Sequence, residues 1–228
     1  MKDEESLRKY YASRAKEYDN LYAIPEYQAD FRLMESCVSE LFSGKRVLEI
    51  ACGTGYWTQF IAPQASNVVA IDMAQETLDI AKSRKGLESV NFRIADAYAL
   101  PDDLRFFDAA FAGHWLSHVP RKRLRPFLTG LHAKLESGSP VLFAYNPVCF
   151  LDNVYSEGHS TPIAETDDEG NTYQFRTLRD GTTHRVLKNF PSESELTAMI
   201  EGIGKNAHYR AFKYYWMFWY EATQKPEI

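Results

Sequence analysis

Two closely spaced glycines, Gly53 and Gly55, stand between a short apolar run and the start of a helical pattern. The segment reads Val47-Leu-Glu-Ile-Ala-Cys-Gly-Thr-Gly-Tyr-Trp-Thr58. Glycine lets the backbone turn sharply and lets a ligand lie directly against it. In open α/β sheets, ligands bind beyond the carboxyl ends of the strands, where such turns occur. The spacing therefore indicates a site for an adenosine-bearing cofactor, with a tight turn that binds no ligand as the alternative.

A dinucleotide is one candidate ligand, and its usual glycine pattern is Gly-x-Gly-x-x-Gly. Gly53 and Gly55 match the first two glycines, but Thr58 stands at the third position, where glycine permits close packing of helix and strand. Tyr56 and Trp57 also crowd the helix start, where a pyrophosphate would bind. A nicotinamide-dependent dehydrogenase is therefore disfavoured, although it stays open as an alternative.

Further residues follow the next apolar runs in order. Asp72 ends the second run, Asp96 and Ala97 follow the third, and His114 follows the fourth. Together with Glu49-Ile-Ala-Cys-Gly-Thr-Gly55 after the first run, they resemble the ordered motifs of the class I S-adenosylmethionine-dependent methyltransferases, in particular the small-molecule type. One glycine turn alone would be a weak signal, whereas the ordered series is specific.

The resemblance implies S-adenosyl-L-methionine as the cofactor and S-adenosyl-L-homocysteine as the product. It places Asp72 on the ribose hydroxyls, where a carboxylate makes strong charge-assisted hydrogen bonds, and Asp96 with Ala97 on the adenine. The complete set of cofactor contacts that it implies is Tyr18, Arg14, Glu49, Ala51, Cys52, Gly53, Thr54, Gly55, Trp57, Asp72, Met73, Asp96, Ala97 and Gly113.

The segment Tyr10-Tyr-Ala-Ser-Arg-Ala-Lys-Glu-Tyr-Asp19 is similar to an N-terminal helix of many small-molecule members, which closes over the cofactor. The resemblance makes Arg14 a candidate for the methionine carboxylate and Tyr18 an aromatic neighbour of the sulfonium. The alternative is an amphipathic surface helix without such a role.

Two histidines follow the fourth apolar run. His114 is nearest to the expected position of the methyl group and is predicted to act as a base or to contact the acceptor. His118 resembles a position where the family often has a histidine, mainly as a structural hydrogen-bonding group. Their spacing of four would suit metal ligands on a helix. No third ligand is evident, so no metal site is predicted.

Apolar runs alternate with helical patterns over much of the chain. The runs are Val47–Ala51, Val68–Ile71, Val90–Ile94, Phe107–Ala112 and Val141–Tyr145, with Asn146-Pro147 predicted to end the last one. Such alternation predicts βαβ units and a parallel sheet. With the resemblance, the expected fold is a doubly wound, mostly parallel seven-stranded α/β sheet with helices on both faces. An N-terminal helical cap and a β-hairpin lid after the fifth strand complete it.

A single methyltransferase-like domain over residues 1–228 is expected to have four parts. They are a helical cap at 1–43, a cofactor-binding core at 44–147, a lid at 148–190, and a C-terminal helix and strand at 191–228. An Asp-Gly turn between 173–178 and 182–190 predicts a hairpin in the lid, and 208–222 is predicted to be one terminal strand. Candidate acceptor contacts from the lid are Tyr155, Tyr173, Phe175, Arg176 and Arg179.

The composition is that of a folded domain, with 228 residues, 45% of them hydrophobic, and a net charge of −5. This charge gives no long-range attraction to nucleic acid or to an anionic membrane. The three cysteines lack metal-type spacing and are expected to be free thiols in a reducing compartment. The N-terminus lacks the apolar core of a signal peptide. We therefore expect a cytoplasmic protein without nucleic-acid or membrane partners, either a monomer or a homodimer.

These observations predict methyl transfer from S-adenosylmethionine to an oxygen or nitrogen atom of a small molecule. RNA or protein methylation is the enzyme alternative, and the net acidity and the lack of a basic appended domain weigh against RNA. A catalytically inactive, cofactor-binding partner protein is the remaining alternative, because residues that bind a cofactor do not prove turnover.

Overall fold

The computed structural model describes residues 10–11, 13–15, 17–135 and 146–223. The helical residues between 10 and 18 are here called α1, and 3-10 turns follow at Asp19–Ala23 and Pro25–Tyr27. The other helices are α2 (Gln28–Leu41), α3 (Thr58–Ile61), α4 (Gln75–Lys82), α5 (Arg121–His132) and α6 (Glu193–Met199). The strands are β1 (Arg46–Ile50), β2 (Asn67–Asp72), β3 (Asn91–Ile94), β4 (Ala109–Gly113), β5 (Pro147–Asn153), β6 (Glu165–Thr166), β7 (Thr172–Thr177), β8 (Thr183–Leu187), β9 (Gly204–Ala211) and β10 (Tyr215–Ala222).

Seven strands form one sheet in the order β3-β2-β1-β4-β5-β10-β9. Strands β1 to β5 run parallel, and β10 is antiparallel to both of its neighbours. The chain builds the sheet outward from β1 to β3 and then returns to add β4 beside β1. In a sheet of this kind the ligand crevice lies beyond the carboxyl ends of the strands at that reversal. The predicted doubly wound α/β fold is confirmed.

Both faces of the sheet are covered because successive residues of a strand point to opposite sides. On one face, buried strand residues pack with α5 and α6 through Leu48, Ala110, Phe127, Leu131 and Leu196. On the other face they pack with α2 through Val47, Phe111, Phe31, Met34 and Val38. The two clusters hold the carboxyl ends of β1 and β4 rigidly in place between them.

The position of β5 corrects one prediction. The sequence predicts a strand at 141–145 that ends at Asn146-Pro147, but residues 136–145 lie outside the described part of the chain. The strand that pairs with β4 begins at Pro147, and Cys149 lies opposite Phe111. Proline is acceptable at the first residue of a strand, where its missing N–H is not needed. The core therefore extends to Asn153, and the lid begins after it rather than at residue 148.

The C-terminal segment is a hairpin rather than the single strand predicted at 208–222. Strand β9 pairs antiparallel with β10, and the connection is closed by a hydrogen bond from the Phe212 N–H to the Tyr215 carbonyl at 2.8 Å. The Tyr214 N–H donates to the Asp30 carboxylate in α2, also at 2.8 Å. A tertiary contact therefore stabilises this turn, which lacks the glycine or proline that marks a hairpin in sequence.

The lid contains a second sheet in the order β6-β7-β8. The predicted hairpin is confirmed: β7 and β8 pair antiparallel, with Phe175 opposite Arg185. The far end of β8 is tied to the turn after β4, because the Asn189 N–H donates to the Ser117 carbonyl at 2.8 Å. Helix α1 contacts the same sheet through the rings of Tyr10 and His184, whose centroids are 5.5 Å apart.

Candidate active site

A cavity, here called the first cavity, opens beyond the carboxyl ends of β1 to β4. Its wall consists of Tyr11, Tyr18, Ala51, Gly53, Asp72, Met73, Ala74, Thr77, Ala95, Asp96, Ala97, Tyr98, Gly113, His114, Trp115, His118, Pro120 and Leu187. Most of the predicted site residues are therefore brought together here. Sequence reasoning missed the aromatic side chains Tyr98 and Trp115, although both directly follow residues that it identified.

The glycine turn forms one side of the first cavity. Gly53 and Gly55 have φ angles of +57° and +77°, in the left-handed region that favours glycine, and Ala51 shares it at +51°. A Cβ atom on Gly55 would come within 3.0 Å of the Ala81 Cβ, so this glycine also lets α4 pack closely. Gly55 therefore serves the packing of the turn, whereas Gly53 lines the cavity.

Asp72 holds the turn and faces the first cavity. Its two carboxylate oxygens accept hydrogen bonds from the N–H groups of Gly53 and Ala74, both at 2.9 Å. Burial nevertheless raises the pKa of Asp72 above its usual value, against the lowering effect of these two N–H donors. A carboxylate oxygen has room for a second hydrogen bond, so Asp72 can still accept donors from a ligand in the cavity.

Glu49 is buried below the turn and does not line the cavity. Only 1% of its surface is exposed, and its Oε2 atom has no hydrogen-bond partner in the part of the chain that the structure describes. Burial raises the pKa of Glu49 to about 8, with the charge of Asp72 adding to the effect. Glu49 is therefore largely protonated at neutral pH, and a direct cofactor contact finds no support in this arrangement.

Trp57 also departs from its predicted place, because it packs in the core. Its indole is 3% exposed and lies against the rings of Phe31 and Phe111. Cys52 is buried and is absent from the cavity wall. Thr54 points away from the cavity and donates to the Asp19 carboxylate at 2.5 Å. These side chains stabilise the turn rather than face a ligand.

His114 is the residue at which the chain leaves β4. Its φ is +56°, and its N–H donates to the Leu151 carbonyl at 2.8 Å. The imidazole is 6% exposed, and neither ring nitrogen has a hydrogen-bond partner among the described residues. Burial lowers the pKa of His114 to about 4. The ring is therefore neutral at pH 7 and keeps one nitrogen free to accept a proton.

His118 has both ring nitrogens occupied. Nδ1 lies 2.5 Å from the Leu187 carbonyl, which can only accept, so Nδ1 carries the hydrogen. Nε2 then accepts from the Tyr11 hydroxyl at 2.7 Å. Burial lowers the pKa of His118 well below its usual value. This residue joins β8, α1 and the turn after β4, in keeping with the structural role that the resemblance implies.

A buried ion pair lies beside His114 and was not predicted. The Lys188 ammonium is 2.5 Å from the Asp152 carboxylate, and both side chains are almost completely buried. Burial raises the pKa of Asp152, but the charge of Lys188, its hydrogen bond to the carboxylate and the two nearby histidines together outweigh burial and lower this pKa. The same carboxylate is 4.0 Å from Nδ1 of His114. The pair joins β5 to β8, two elements whose contact the sequence does not reveal.

A second cavity lies between α1, the lid sheet and the turn after β4. Its wall consists of Tyr10, Tyr11, Arg14, Glu17, Tyr18, Leu21, Tyr27, His114, His118, Asn153, His159, Ser160, Thr161, Gln174, Phe175, Arg176, Thr177, Leu178, Arg179, Lys188 and Phe190. Four residues, Tyr11, Tyr18, His114 and His118, belong to both walls. The two cavities therefore meet at these four residues, and His114 is one of them.

The predicted lid and cap residues divide between this wall and the interior. Arg14, expected at the cofactor, lines the second cavity but not the first. Phe175, Arg176 and Arg179 also line the second cavity, as expected of acceptor contacts. Tyr155 packs on Phe190, with centroids 5.2 Å apart, and Tyr173 lies under the Arg185 guanidinium. Neither tyrosine is part of the wall.

Residues 10–11, 13–15, 17–135 and 146–223 are the part of the chain that the structure describes. In these ranges, no group of three or more His, Cys, Asp or Glu side chains is arranged to hold a metal ion. No helix in the same ranges has both the length and the apolar character that a bilayer span requires.

A family profile described as a methyltransferase domain matches residues 47–138. The structure of DhpI in complex with SAH has 31% sequence identity and a TM-score of 0.76, covering 98% of this chain and 97% of DhpI. A DhpI complex with SAM and HEP matches with a TM-score of 0.75. The described fold thus has a counterpart in structures that hold SAH or SAM.

Two curated relatives are demethylmenaquinone methyltransferases. That of Lactococcus lactis is 25% identical over 127 residues, and the match spans only 50% of its length and 52% of this chain. That of Staphylococcus aureus strain JH9 is 24% identical over 226 residues, which cover 92% of this chain and 89% of the relative. Taken with the DhpI match, these findings show that the chain belongs to the class I S-adenosylmethionine-dependent methyltransferases and that its cofactor is S-adenosylmethionine.

Proposed function

We propose that this chain transfers a methyl group to an oxygen or nitrogen atom of a small molecule held in the second cavity. The observation that carries the proposal is the meeting of two cavities at His114. The first lies where this fold binds its cofactor, and the second is lined by residues of α1 and the lid sheet. An acceptor atom at the junction would face the cofactor in the first cavity while the rest of the acceptor is held in the second. Such alignment lowers the activation barrier of the transfer by roughly 7–11 kcal/mol.

The wall of the first cavity fits the parts of S-adenosylmethionine. Asp72 retains acceptor capacity beyond its bonds to Gly53 and Ala74 and would bind the ribose hydroxyls. Asp96 and Ala97, with Tyr98, would contact the adenine. When bound, the cofactor supplies a methyl group on a cationic sulfur, which is left as the neutral thioether of S-adenosylhomocysteine. Tyr18, on both walls, would lie near that sulfur.

His114 is the proposed base. Neither nitrogen of its neutral imidazole has a hydrogen-bond partner among the described residues, and the residue lines both cavities, so one nitrogen would accept the proton that an alcohol or ammonium acceptor must lose. The positive charge that then forms on the ring would be stabilised by Asp152, 4.0 Å away, and opposed by Lys188. Tyr11 and His118, held by their mutual hydrogen bond, would keep α1 closed and exclude water.

The alternatives differ from this proposal in what the cavity must admit. RNA or a protein chain would have to bring its reacting atom between α1 and the lid sheet, whose residues line the second cavity. An inactive binding protein would hold the cofactor without product. A net charge of −5 also gives no attraction to RNA.

Methyl transfer tests the proposal directly. The protein is incubated with methyl-labelled S-adenosylmethionine and either small hydroxy and amino compounds, RNA, or a protein mixture, and label and S-adenosylhomocysteine are followed together. We expect label in the small-molecule arm only. Label confined to RNA or protein, or bound cofactor with no product in any arm, would contradict the proposal.

A further inference from the structure

The wall of the second cavity carries several charges. Arg14 and Glu17 come from α1, and Arg176, Arg179 and Lys188 come from the lid. Two histidines on the wall, His114 and His118, add no charge at neutral pH, because burial lowers their pKa values. The balance among the five charged side chains therefore decides which ligand the cavity prefers.

Three of these charges are already neutralised by ion pairs. Glu17 lies 3.2 Å from the Arg179 guanidinium. Lys188 forms its buried pair with Asp152 at 2.5 Å. Among the five charged side chains of the wall, the guanidinium groups of Arg14 and Arg176 remain to be accounted for.

Arg14 and Arg176 contact only neutral groups in the part of the chain that the structure describes. Arg14 donates to the Tyr10 hydroxyl at 2.9 Å. Arg176 donates to the Gln174 side-chain oxygen through two nitrogens, at 2.7 and 3.1 Å. Both guanidinium groups also lie near the Tyr10 ring, with their Cζ atoms 5.8 and 5.9 Å from its centroid. Both side chains are half-buried, so water compensates their charges only in part.

Arg176 is held in position rather than free to turn to solvent. Gln174 and Arg176 are two residues apart on β7 and therefore share one face of the lid sheet. The Gln174 amide nitrogen donates to the Thr161 carbonyl at 2.5 Å, which directs the amide oxygen at Arg176. Gln174 itself is 1% exposed. A preorganised, partly desolvated cation of this kind is typical of a binding site for an anion.

We propose that the methyl acceptor is a small acid whose carboxylate or phosphoryl group binds between Arg14 and Arg176. The planar guanidinium fork matches both kinds of oxyanion. Bound there, the acid would extend its oxygen or nitrogen nucleophile toward His114, where the second cavity meets the first. This inference rests on the proposed function, because it names the acceptor class of the same site.

Anion binding can be measured without turnover. Inorganic phosphate and acetate are titrated separately by calorimetry into the full chain saturated with S-adenosylhomocysteine, at constant ionic strength. We expect saturable binding of at least one anion, which distinguishes the phosphoryl from the carboxylate form of the acid. Arg176→Gln should weaken it roughly ten- to hundredfold, as expected for a charge-assisted contact, and leave S-adenosylhomocysteine affinity unchanged.

Arg185→Gln is the matched control, because it removes the same charge from the same lid sheet outside both cavity walls. We expect it to bind the anion as the wild type does. Arg176→Lys keeps the charge but loses the planar guanidinium donors. Its affinity for the anion should therefore lie between those of the wild type and Arg176→Gln. Failure of both anions to bind the wild type, or equal binding by Arg176→Gln, would overturn the inference.

A methyl-transfer assay with different acceptors separates this inference from the proposed function. 4-Hydroxybenzoate and 4-hydroxyphenylphosphonate are compared with 4-hydroxybenzamide and hydroquinone, the latter a stand-in for a quinone-type acceptor. We expect transfer to an acid and a raised KM for it in Arg176→Gln. Transfer to the neutral compounds alone would retain the proposed function and overturn the inference. Anion binding that depends on Arg176, with no transfer to any acceptor, would support the anion site and count against the proposed function.

Discussion

At the scale of single residues, His114 combines three properties that rarely occur together. It is a non-glycine residue at positive φ, it is buried, and its ring nitrogens are unpartnered in the described part of the chain. Backbone strain persists where the surrounding structure maintains it and is concentrated at functional sites. Here the hydrogen bond to Leu151 holds the backbone, and the ring stands where the cavities meet.

Replacement of His114 tests its role as a base. We expect His114→Ala and His114→Gln to reduce kcat about 10²- to 10⁴-fold, the usual contribution of a positioned base. Titration with S-adenosylhomocysteine should show unaltered affinity, since the cofactor needs no proton transfer to bind. Unchanged kcat in both variants with the true acceptor would remove His114 from the mechanism.

Some of the residues that the sequence singles out line the first cavity and others do not, for a physical reason. Asp72 ends β2 and Asp96 lies two residues beyond β3, and the carboxyl ends of parallel strands must lie at one edge of the sheet. Arg14 lies on a cap helix whose position depends on contacts with the lid, so the resemblance places it at the cofactor while the structure places it on the wall of the second cavity. The pair of Asp152 and Lys188 depends on the same tertiary contact.

At the scale of elements, the end of β4 depends on a close approach of two segments. A Cβ atom at Gly113 would lie 2.6 Å from Cδ1 and 2.8 Å from Nε1 of the Trp57 indole. The indole packs in the core beneath the glycine turn, so it has little room to move. Gly113 therefore lets β4 pass the start of α3 and places His114 at the cavities.

Gly113→Ala should destabilise the protein by about 1–3 kcal/mol, the usual effect of overpacking a core. Gly130→Ala is the control, because this helix residue has open space around its Cβ position, and alanine there should stabilise by roughly 0.5–1 kcal/mol. Denaturant unfolding followed by circular dichroism measures both. Equal stability of the two variants would show that the Trp57 indole moves aside for the methyl group added at position 113.

Strand order was predictable, whereas some strand bounds were not. The apolar runs alternate with helical patterns, and that alternation specifies a parallel sheet. Two apolar runs flank Asn146-Pro147, however, and only pairing with β4 selects the second of them as β5. The β9–β10 hairpin was missed because its turn is held by Asp30 of α2 rather than by local turn residues.

At the scale of the whole molecule, buried titratable groups make stability depend on pH. Burial lowers the pKa of His114 and of His132 to about 4, from an ordinary value of 6.5. Between these values the unfolded chain binds more protons, so stability falls as pH decreases. Glu49 has the opposite sign: its pKa is raised to about 8 from 4.5, so its contribution falls as pH rises toward 8.

We therefore expect the free energy of unfolding to be highest near pH 6.5 and to decline on both sides. Each buried histidine contributes at most about 1.4 kcal/mol per pH unit to the acid decline. Thermal unfolding across pH 4.5 to 8 measures the curve, and Glu49→Gln should remove much of the alkaline decline. A Tm that does not change over this range would contradict the assigned burial of these groups.

Cofactor binding through Asp72 is the claim on which the account depends most, and calorimetry tests it directly. S-adenosylmethionine, S-adenosylhomocysteine and NAD are titrated into the wild type and into Asp72→Ala. We predict saturable binding of the first two, no binding of NAD, and a roughly ten- to hundredfold loss of affinity in the variant, as expected when a charged acceptor is removed. Binding of NAD with no binding of S-adenosylmethionine or S-adenosylhomocysteine, or full affinity of Asp72→Ala for these two ligands, would contradict the account.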